Sequence, residues 1–525
     1  MTRSRAVWIF LALLTAIRLA LLGTSELTGD EAHYWMWSQR LAPSYFSKGP
    51  GIAFVIYAGT ALFGDSEFGV RFWSPILAAG TSILLFYFAR RLFSETTAFW
   101  TVIALNVTPI FNIGSFVMTI DPLSIFFWVA AMFVFWLAVE KTPDFTLWWP
   151  LAGLCVGLGF LCKYTNALEL VSIALVLALA PRLRREWKRP GIYALLSVFA
   201  LCTLPPIIWN AQHDWITLAH LRTRGSLDEA PGFHPLETLV YLGEHFVTYS
   251  PLLFGGLIIA VMANRRRFRQ QFKVLFLVWF GLPVFVFYLL LSLNKAAAPN
   301  WDGLAFLSLG VLAVSYWRER IETRAGLKYG AAVALLLALG MSALALDSDV
   351  LRTFGVDVTR RVPSDRMRGW KAAAATVETL RREVEAETGA RPFVIADERD
   401  RASEFSFYFR DKRAEGPGHP LVYIPESQDI VNQFSFWPRY DEFVPLAPGS
   451  SRPDGEVYTE ENGVNPFLGR TALYVQANGK ERVPHHIRVA FESTTPLATI
   501  EVRRFGRILR ELRVFVCRNY RTLPL

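Results

Sequence analysis

Cysteine is scarce in this chain, and the few cysteines are not arranged for cross-linking or for binding metal. Four occur in 525 residues. Cys155, Cys162 and Cys202 lie inside apolar runs, Cys517 lies near the end, and no two form a CxxC pair. We therefore predict no disulfide framework and no structural zinc site, because such sites need cysteines at characteristic spacings.

Other familiar signals are missing too. The apolar run at residues 6–23 resembles a signal peptide but lacks a small-x-small cleavage site, so we predict an uncleaved first membrane span. There is no fixed-period repeat and no low-complexity linker. Lys+Arg (54) exceed Asp+Glu (45), a net charge of +9, but the basic clusters alternate with apolar runs. That distribution argues against a nucleic-acid-binding face and favours cytoplasmic membrane anchors.

Long hydrophobic runs, in contrast, are abundant. Hydrophobic residues make up 53% of the chain and charged residues 19%, a mixture that predicts a membrane bundle joined to a soluble part. Candidate spans lie at residues 7–22, 68–88, 98–116, 123–139, 147–161, 167–179, 192–209, 246–262, 274–293, 304–316 and 329–346. The shorter run at 52–63 suits a re-entrant or interfacial helix. We predict a mainly α membrane protein with about 11 to 13 transmembrane helices.

The pattern of polar and apolar residues changes at about residue 347. A polar helix-like stretch at 370–388 precedes short strand-like runs at 392–396, 421–424, 472–475, 487–491 and 514–517. This pattern predicts two domains, a transmembrane domain at 1–346 and a small α/β domain at 347–525.

The basic clusters predict the topology. Counting spans one by one places the clusters at 3–5, 90–91, 182–189, 265–273 and 318–328 on one side, which the positive-inside rule makes cytoplasmic. The loops at 24–69, 113–122, 163–166, 210–245 and 294–302 then lie on the extracytoplasmic side, together with the C-terminal domain. We predict a multi-pass protein of the cell (inner) membrane.

Two adjacent carboxylates, Asp30 and Glu31, directly follow the first apolar run. A charge beside the bilayer is costly unless it faces water and a partner, and Lys48 in the same loop is a candidate partner. Solvation of a loop just outside the lipid is the alternative interpretation.

The other unusual polar residues fall on the same predicted side. The set comprises Asp30, Glu31, His33, Tyr34, Lys48, Asp121, Lys163, Tyr164, Asn210, His213, Arg222, Arg224, Lys295, Asn300 and Trp301. Lys and Arg can neutralise phosphate oxygens, and a carboxylate can orient or deprotonate an acceptor group. Such a set suits a substrate that carries phosphate on a lipid tail.

Four motifs follow one another along the chain. They are Asp30-Glu31-Ala32-His33-Tyr34, Lys48-Gly49-Pro50-Gly51, Asp121-Pro122 and Gly157-Leu158-Gly159-Phe160-Leu161-Cys162-Lys163-Tyr164. In this order they resemble the polyprenyl-phosphate-sugar-dependent GT-C glycosyltransferases, the superfamily of protein O-mannosyltransferases (family 39) and aminoarabinose transferases of lipid A. The stretches 208–215 and 298–301 are similar to Rgt-like galacturonosyl transferases. The resemblance covers most of the chain and is strongest before Trp215.

The resemblance implies a GT-C-like bundle that moves one sugar, a hexose or a pentose, from a polyprenyl-phosphate donor to an exported acceptor with inversion. By motif position, Asp30 matches the acidic catalytic residue and Glu31 its neighbour. Lys48 matches a lysine associated with donor phosphate, and Asp121 matches a second acidic site. Further predicted substrate-binding residues are His33, Tyr34, Lys163, Arg222 (or Arg224), Lys295 and Asn300.

The motifs depart from the aminoarabinose branch in two places. That branch has an arginine at the position of His33, and a double proline follows its lysine, whereas Gly49 and Pro50 follow Lys48 here. The sugar and the acceptor, which could be lipid A, another glycan, a protein or a small lipid, therefore stay open.

Structural and functional alternatives remain at this point. Lys48 and Lys163 could be interfacial anchors, Asp121 could cap a helix, and Arg222 could be plain surface. No metal motif is visible, although the two adjacent acids could hold a divalent cation weakly. A lipid-linked sugar flippase or transporter is the main rival, but it would be expected to place ionisable residues near the midplane. A ligand sensor or scaffold would need no polar cluster in membrane loops.

Overall fold

The computed structural model describes residues 2–140, 145–225, 232–294, 297–356, 362–444, 464–477 and 482–524. Its α-helices, in chain order, are α1 (Arg3–Leu21), α2 (Gly29–Ser38), α3 (Gly51–Phe63), α4 (Glu67–Arg71), α5 (Trp73–Leu92), α6 (Glu95–Val107), α7 (Pro109–Gly114), α8 (Ile120–Glu140), α9 (Trp148–Cys162), α10 (Leu168–Leu179), α11 (Pro190–Ala211), α12 (Ile216–Arg224), α13 (Pro235–Thr248), α14 (Pro251–Ala263), α15 (Phe272–Ser292), α16 (Ala305–Thr323), α17 (Leu327–Leu346), α18 (Trp370–Thr388), α19 (Arg399–Tyr408) and α20 (His485–Ala490). The strands are β1 (Phe393–Ala396), β2 (Ala472–Ala477), β3 (Phe491–Arg504) and β4 (Arg507–Tyr520).

The chain divides into two compact units. The membrane unit comprises Met1–Thr24 and Leu41–Val358, and the C-terminal unit comprises Ser25–Arg40 and Thr359–Leu525. The predicted division is instead a single boundary between residues 346 and 347. The structure differs because α2, in which eight of ten residues are buried, packs against α19. A short apolar helix in a loop cannot bury itself, and its partner lies too far along the chain for a local pattern to reveal it.

The membrane unit contains six segments that are long and apolar enough to cross a bilayer, among the residues that the structure describes. They are Arg3–Thr24, Glu67–Leu92, Ile120–Glu140, Pro190–Ala211, Phe272–Ser292 and Leu327–Leu346. The number rises to eight if each of two sharply bent pairs counts as one span, Tyr164–Leu179 with Pro181–Lys188 (114°) and α13 with α14 (113°). These segments confirm the prediction of a multi-pass membrane protein.

Some predicted spans are divided in the structure, which lowers the number of long helices. The run at 98–116 becomes α6 and α7, because Thr108 adopts an extended conformation (ψ 125°) immediately before Pro109. The short run at 52–63 is α3, a single apolar helix of 13 residues.

Aromatic side chains fill the middle of the membrane unit. Phe135 of α8 stacks on Phe276 of α15 with ring centroids 6.0 Å apart, and Phe276 stacks on Phe280 at 4.4 Å. All three are fully buried, as is Trp128. Close packing of this kind holds helices together in lipid, where burial from water contributes little.

The C-terminal unit is built on a four-stranded mixed sheet with the order β1-β2-β4-β3. β1 and β2 are parallel, and the other neighbours are antiparallel. The predicted helix at 370–388 is α18. The predicted run at 421–424 contributes a single bridge, Tyr423 to Ile395.

One strand prediction in this unit is wrong. The run at 487–491 is mostly helix α20, and the strand that follows it, β3, begins at Phe491. β3 was not predicted because its side chains are mainly polar or exposed, so the apolar signal of a half-buried strand is weak. It is held by its long antiparallel pairing with β4.

Candidate active site

The two predicted catalytic acids lie next to each other on α2 but have different surroundings. The helix begins with a capping box, in which the Glu31 amide donates to Thr28 Oγ1 (3.3 Å) and the Thr28 amide donates to Glu31 Oε2 (2.9 Å). Glu31 is therefore turned back onto its own helix and is fully buried. The Asp30 side chain is 53% exposed. Of the two acids, Asp30 is the one whose carboxylate is open to solvent.

Asp30 pairs with Arg399, the first residue of α19. A guanidinium nitrogen of Arg399 lies 3.0 Å from Asp30 Oδ1, and Arg399 Nε lies 2.9 Å from Asp400 Oδ1. The starts of the two helices approach so closely that a Cβ at Gly29 would lie 2.7 Å from the Asp400 Cβ. Sequence reasoning missed Arg399, because 369 positions separate it from Asp30 and no motif marks it.

These contacts bear on the expected weak divalent-cation site. The carboxylates of Asp30 and Glu31 do not converge, since one faces a guanidinium and the other caps a helix. Within the described residues, no group of three or more His, Cys, Asp or Glu side chains is placed to hold a metal ion. The pair therefore does not fit a shared cation.

His33 and Tyr34, predicted to contact substrate, lie in the interior of the C-terminal unit. His33 Nδ1 is 3.1 Å from Ser403 Oγ, and His33 Nε2 accepts a hydrogen bond from Trp37 Nε1 (3.2 Å). Burial, together with the nearby Arg399 charge, lowers the pKa of His33 well below its usual value. His33 is thus a neutral, hydrogen-bonded core residue, and Tyr34 is 6% exposed.

In the membrane unit, three predicted site residues meet. Lys163 Nζ lies 2.8 Å from Asp121 Oδ1, and Asn300 Nδ2 donates to Asp121 Oδ2 over 3.2 Å. Asp121 occupies the first turn of α8, and its carboxylate accepts hydrogen bonds from Lys163 and Asn300. The Lys163 side chain is 11% exposed, so it belongs to a packed polar cluster and is not an anchor extended toward the interface. We call these three residues the Asp121 cluster.

The Lys48-Gly49-Pro50-Gly51 segment packs against the end of α9. A Cβ at Gly49 would lie 2.2 Å from the Leu161 carbonyl oxygen, and a Cβ at Gly51 would lie 2.5 Å from Cys162 Sγ. The two glycines allow this close approach because they have no side chain. Half-buried Lys48 is therefore carried by a segment that contacts the two residues preceding Lys163.

Helix α12 packs against the same loop. Thr217 Oγ1 donates to the Tyr45 carbonyl (3.3 Å), and the rings of Phe46 and His220 lie 4.7 Å apart. Near the end of α12, Arg222 is exposed. The Arg224 guanidinium lies 5.2 Å from the centre of the Trp301 ring, next to Asn300. Lys295, also predicted to bind substrate, lies outside the described residues.

An apolar pocket of the membrane unit is connected through Tyr249 to the loop that carries Asn300. Its lining includes Leu105 of α6, Leu257 of α14 and Val311 of α16, with Tyr249 among the few polar groups. The Tyr249 hydroxyl donates to the carbonyl of Pro299, the residue before Asn300 (3.1 Å). The membrane unit thus brings an apolar pocket and a charged cluster to the same short loop.

Sequence comparison supports the predicted resemblance. Residues 47–209 match the family model described as dolichyl-phosphate-mannose-protein mannosyltransferase. The chain is 29% identical over 301 residues to the lipid A galacturonosyltransferase RgtD of Rhizobium johnstonii, covering 57% of this chain and 62% of that protein. It is 28% identical over 342 residues to the undecaprenyl phosphate-alpha-4-amino-4-deoxy-L-arabinose arabinosyl transferase of Edwardsiella ictaluri, covering 61% of this chain and 58% of that protein. The match thus spans about three fifths of the length of these curated relatives.

Structural comparison shows the fold over nearly the whole chain. ArnT from Cupriavidus metallidurans in the apo state matches with a TM-score of 0.59 and 18% identity, covering 98% of both chains. The same protein bound to undecaprenyl phosphate matches with a TM-score of 0.61 and 16% identity, covering 97% of both chains. The matched family model includes Lys48, Asp121 and Lys163, three of the residues described above.

Proposed function

We propose that this chain is an integral membrane glycosyltransferase of the GT-C superfamily. It moves one sugar from a polyprenyl-phosphate-linked donor to an exported acceptor, with inversion at the anomeric carbon. Lipid A is the first candidate acceptor, because the curated relatives are a lipid A galacturonosyltransferase and aminoarabinose transferases that use undecaprenyl phosphate donors. Another glycan, a protein and a small lipid are the other candidate acceptors.

The observation that carries this proposal is the Asp121 cluster beside the Lys48 segment. Asp121 lies in the first turn of α8 and Lys163 directly follows α9, so their ion pair of 2.8 Å is at the ends of two apolar helices. Charged side chains beside membrane-length apolar segments commonly have a function. The Tyr249–Pro299 hydrogen bond connects an apolar pocket to the loop that carries Asn300 of the Asp121 cluster. Apolar and cationic groups joined in this way suit a molecule that has a phosphate head and an isoprenoid tail.

We assign the chemical roles as follows. Asp30 orients the acceptor hydroxyl and takes its proton as the oxygen attacks the anomeric carbon. The bond between that carbon and the phosphate oxygen breaks, and polyprenyl phosphate leaves. Lys48, with Arg222 or Arg224, stabilises the charge that develops on the departing phosphate. Asp121, held by Lys163 and Asn300, orients the bound sugar.

Glu31 has a different assignment from its neighbour. Its carboxylate is already used by the capping box of α2, so we propose that it fixes the start of the helix that carries Asp30. A group that acts through another in this way is a positioning residue.

We also propose the finer architecture. The shorter apolar helices complete a bundle of about 11 to 13 crossings. The bundle lies in the cell (inner) membrane, and the α/β domain at residues 347–525 is extracytoplasmic. The transferred sugar is a single hexose or pentose, as galacturonate and aminoarabinose are in the named relatives.

The experiment is a donor-cleavage assay with purified protein. Undecaprenyl phosphate carrying a labelled galacturonate or 4-amino-4-deoxyarabinose is supplied with lipid A, and released undecaprenyl phosphate and labelled lipid A are both measured. We expect wild-type protein to produce both with one of the donors. We expect Asp30→Asn to lower the rate by about 10²-fold or more, the usual contribution of a general base.

Matched controls separate the outcomes. Asp429→Asn removes an exposed carboxylate from a loop of the same unit and should keep the wild-type rate. Unchanged transfer by Asp30→Asn would remove its catalytic role while leaving the function intact. Movement of the donor across vesicles without cleavage of either donor would favour the flippase and overturn the proposed function.

A further inference from the structure

A fully buried polar cluster lies in the membrane unit near Asn300. His245 Nε2 is 2.8 Å from Asp302 Oδ2, and the Tyr241 hydroxyl donates to the same oxygen over 2.6 Å. His245 Nδ1 is 2.7 Å from the Tyr241 carbonyl oxygen. Each of these three side chains is at most 1% exposed. No motif in the sequence pointed to them.

The hydrogen bonds define how many protons this cluster holds. A carbonyl oxygen only accepts, so His245 Nδ1 must carry a proton and donate it to the Tyr241 carbonyl. The short contact between His245 Nε2 and Asp302 Oδ2 needs a second proton between them. The pair is therefore an imidazolium with an aspartate, or a neutral imidazole with an aspartic acid. Its net charge is zero in either form, which a membrane interior tolerates.

The cluster is tied to the loop that carries Asn300. Asp302 follows Asn300 by two residues, and its carbonyl accepts from the Ala305 amide at the start of α16 (2.8 Å). On the other side of Asn300, the Pro299 carbonyl is held by the Tyr249 hydroxyl (3.1 Å). Tyr249 follows His245 by one helical turn, and its amide donates to the His245 carbonyl (2.9 Å).

Asn300 is thus fixed from both sides by one element, α13 and the residue after it. Asn300 lies between these two anchors, and its side-chain amide donates to Asp121 Oδ2 (3.2 Å). Removing an anchor would let the loop move, and an amide must be within about 3.2 Å to donate a good hydrogen bond.

We propose that Tyr241, His245 and Asp302 are positioning residues that hold Asn300 against Asp121 in the active site. The inference rests on the proposed function, because it takes Asp121 to be part of a glycosyltransferase site. None of the three contacts substrate. They act through the loop at 298–302, and therefore through the hydrogen bond from Asn300 to Asp121.

A double-mutant cycle tests this proposal. Asn300→Ala and His245→Ala should each lower kcat/KM by about 10-fold or more, as expected when a hydrogen bond to a charged group is lost. If His245 acts through Asn300, the double variant should be no worse than Asn300→Ala alone. Losses that multiply in the double variant would overturn the proposal.

Conservative variants separate positioning from general damage. In Asp302→Asn, the new amide can donate to a neutral His245 Nε2, so we expect kcat/KM within about threefold of wild type. Asp302→Ala should behave like His245→Ala. His485→Ala is the control, because His485 is an exposed histidine on α20 of the C-terminal unit. It should keep the wild-type rate.

A second readout does not depend on activity. In a chain whose four native cysteines are replaced by serine, Asp121→Cys and Asn300→Cys are cross-linked by a short bifunctional thiol reagent. We expect His245→Ala to slow this cross-linking by about 10-fold, and unchanged cross-linking would overturn the positioning role. Slowed cross-linking, together with a wild-type protein that cleaves neither donor, would instead retain the positioning role and remove the proposed function.

Discussion

At the residue scale, the most unusual group in the C-terminal unit is Glu404 of α19. It is fully buried, and neither carboxylate oxygen has a hydrogen-bond partner among the described residues. Burial, and next the charge of Glu31, raise the pKa of Glu404 well above its usual value. Glu26 and Asp400 act in the same direction, and Arg510 opposes them. Glu404 is therefore held as the neutral acid where α19 packs against α2.

This environment predicts a pH-dependent gain in stability for Glu404→Gln. A carboxyl whose pKa is higher in the folded state contributes its full stability below its unfolded pKa, and that contribution is lost as pH rises from there through the folded pKa. The amide carries no charge, so the variant should unfold at higher temperature than wild type at pH 8. Its free energy of unfolding should be larger by about 1–3 kcal/mol. Near pH 4 the two proteins should have the same melting temperature.

Thermal unfolding in detergent, followed by tryptophan fluorescence from pH 4 to 8, measures this difference. Glu383→Gln removes an exposed acid from α18 and should melt like wild type at every pH. A Glu404→Gln variant that is less stable at pH 8 would contradict the neutral, unpaired state of Glu404.

At the element scale, the Lys48 segment and the end of α9 form one packed unit because of two glycines. Gly49 cannot accept a side chain, since its Cβ would lie 2.2 Å from a backbone carbonyl oxygen that α9 holds in place. Lys48, the predicted phosphate-binding residue of this segment, is thus positioned by backbone packing and not by its own side chain alone.

Gly49→Ala should therefore impair activity through the position of Lys48. We expect a cost of about 1–3 kcal/mol from overpacking and a higher KM for the lipid-linked donor. Steady-state kinetics with the labelled donor measure this, together with melting of the purified variant. Gly340→Ala, where the added methyl meets nothing within 4 Å, is the control and should leave KM unchanged. An unchanged KM for Gly49→Ala would separate the segment from donor binding.

Elements with a strong local pattern could be predicted from the sequence, and those held by distant partners could not. The predicted helix at 370–388 is α18, because it is polar, amphipathic and bounded by Gly369 and Gly389. α20 and β3 were not predicted, since the first is short and the second depends on pairing with β4.

The candidate site divides in the same way. Asp121, Lys163 and Asn300 were predicted from motifs, and the structure brings them together. Arg399 and the His245–Asp302 pair carry no local signal, because their partners are 369 and 57 positions away. The burial of His33 likewise depends on Ser403 and Phe434, which the first loop could not reveal.

At the scale of the whole molecule, the proposed reaction requires a particular membrane topology. A sugar destined for an exported acceptor must be transferred on the extracytoplasmic side. The basic clusters at 182–189 and 318–328 predict which ends of the helices are cytoplasmic. Whether the number of crossings is odd or even decides on which side the C-terminus lies. The bent pairs and the shorter helices α3 and α9 can each add or remove one crossing from the six to eight candidate spans.

Reporter fusions decide this parity. Alkaline phosphatase folds into an active enzyme only outside the cytoplasm, whereas green fluorescent protein exported in unfolded form stays dark. We expect a phosphatase fusion after Leu525 to be active and a fluorescent protein fusion there to be dark, with the reverse for fusions within 182–189. A cytoplasmic signal after Leu525 would place the C-terminal unit, and with it Asp30, on the side away from the acceptor. Asp30 could then not activate an exported hydroxyl group, and its catalytic assignment would fail even if the fold is correct.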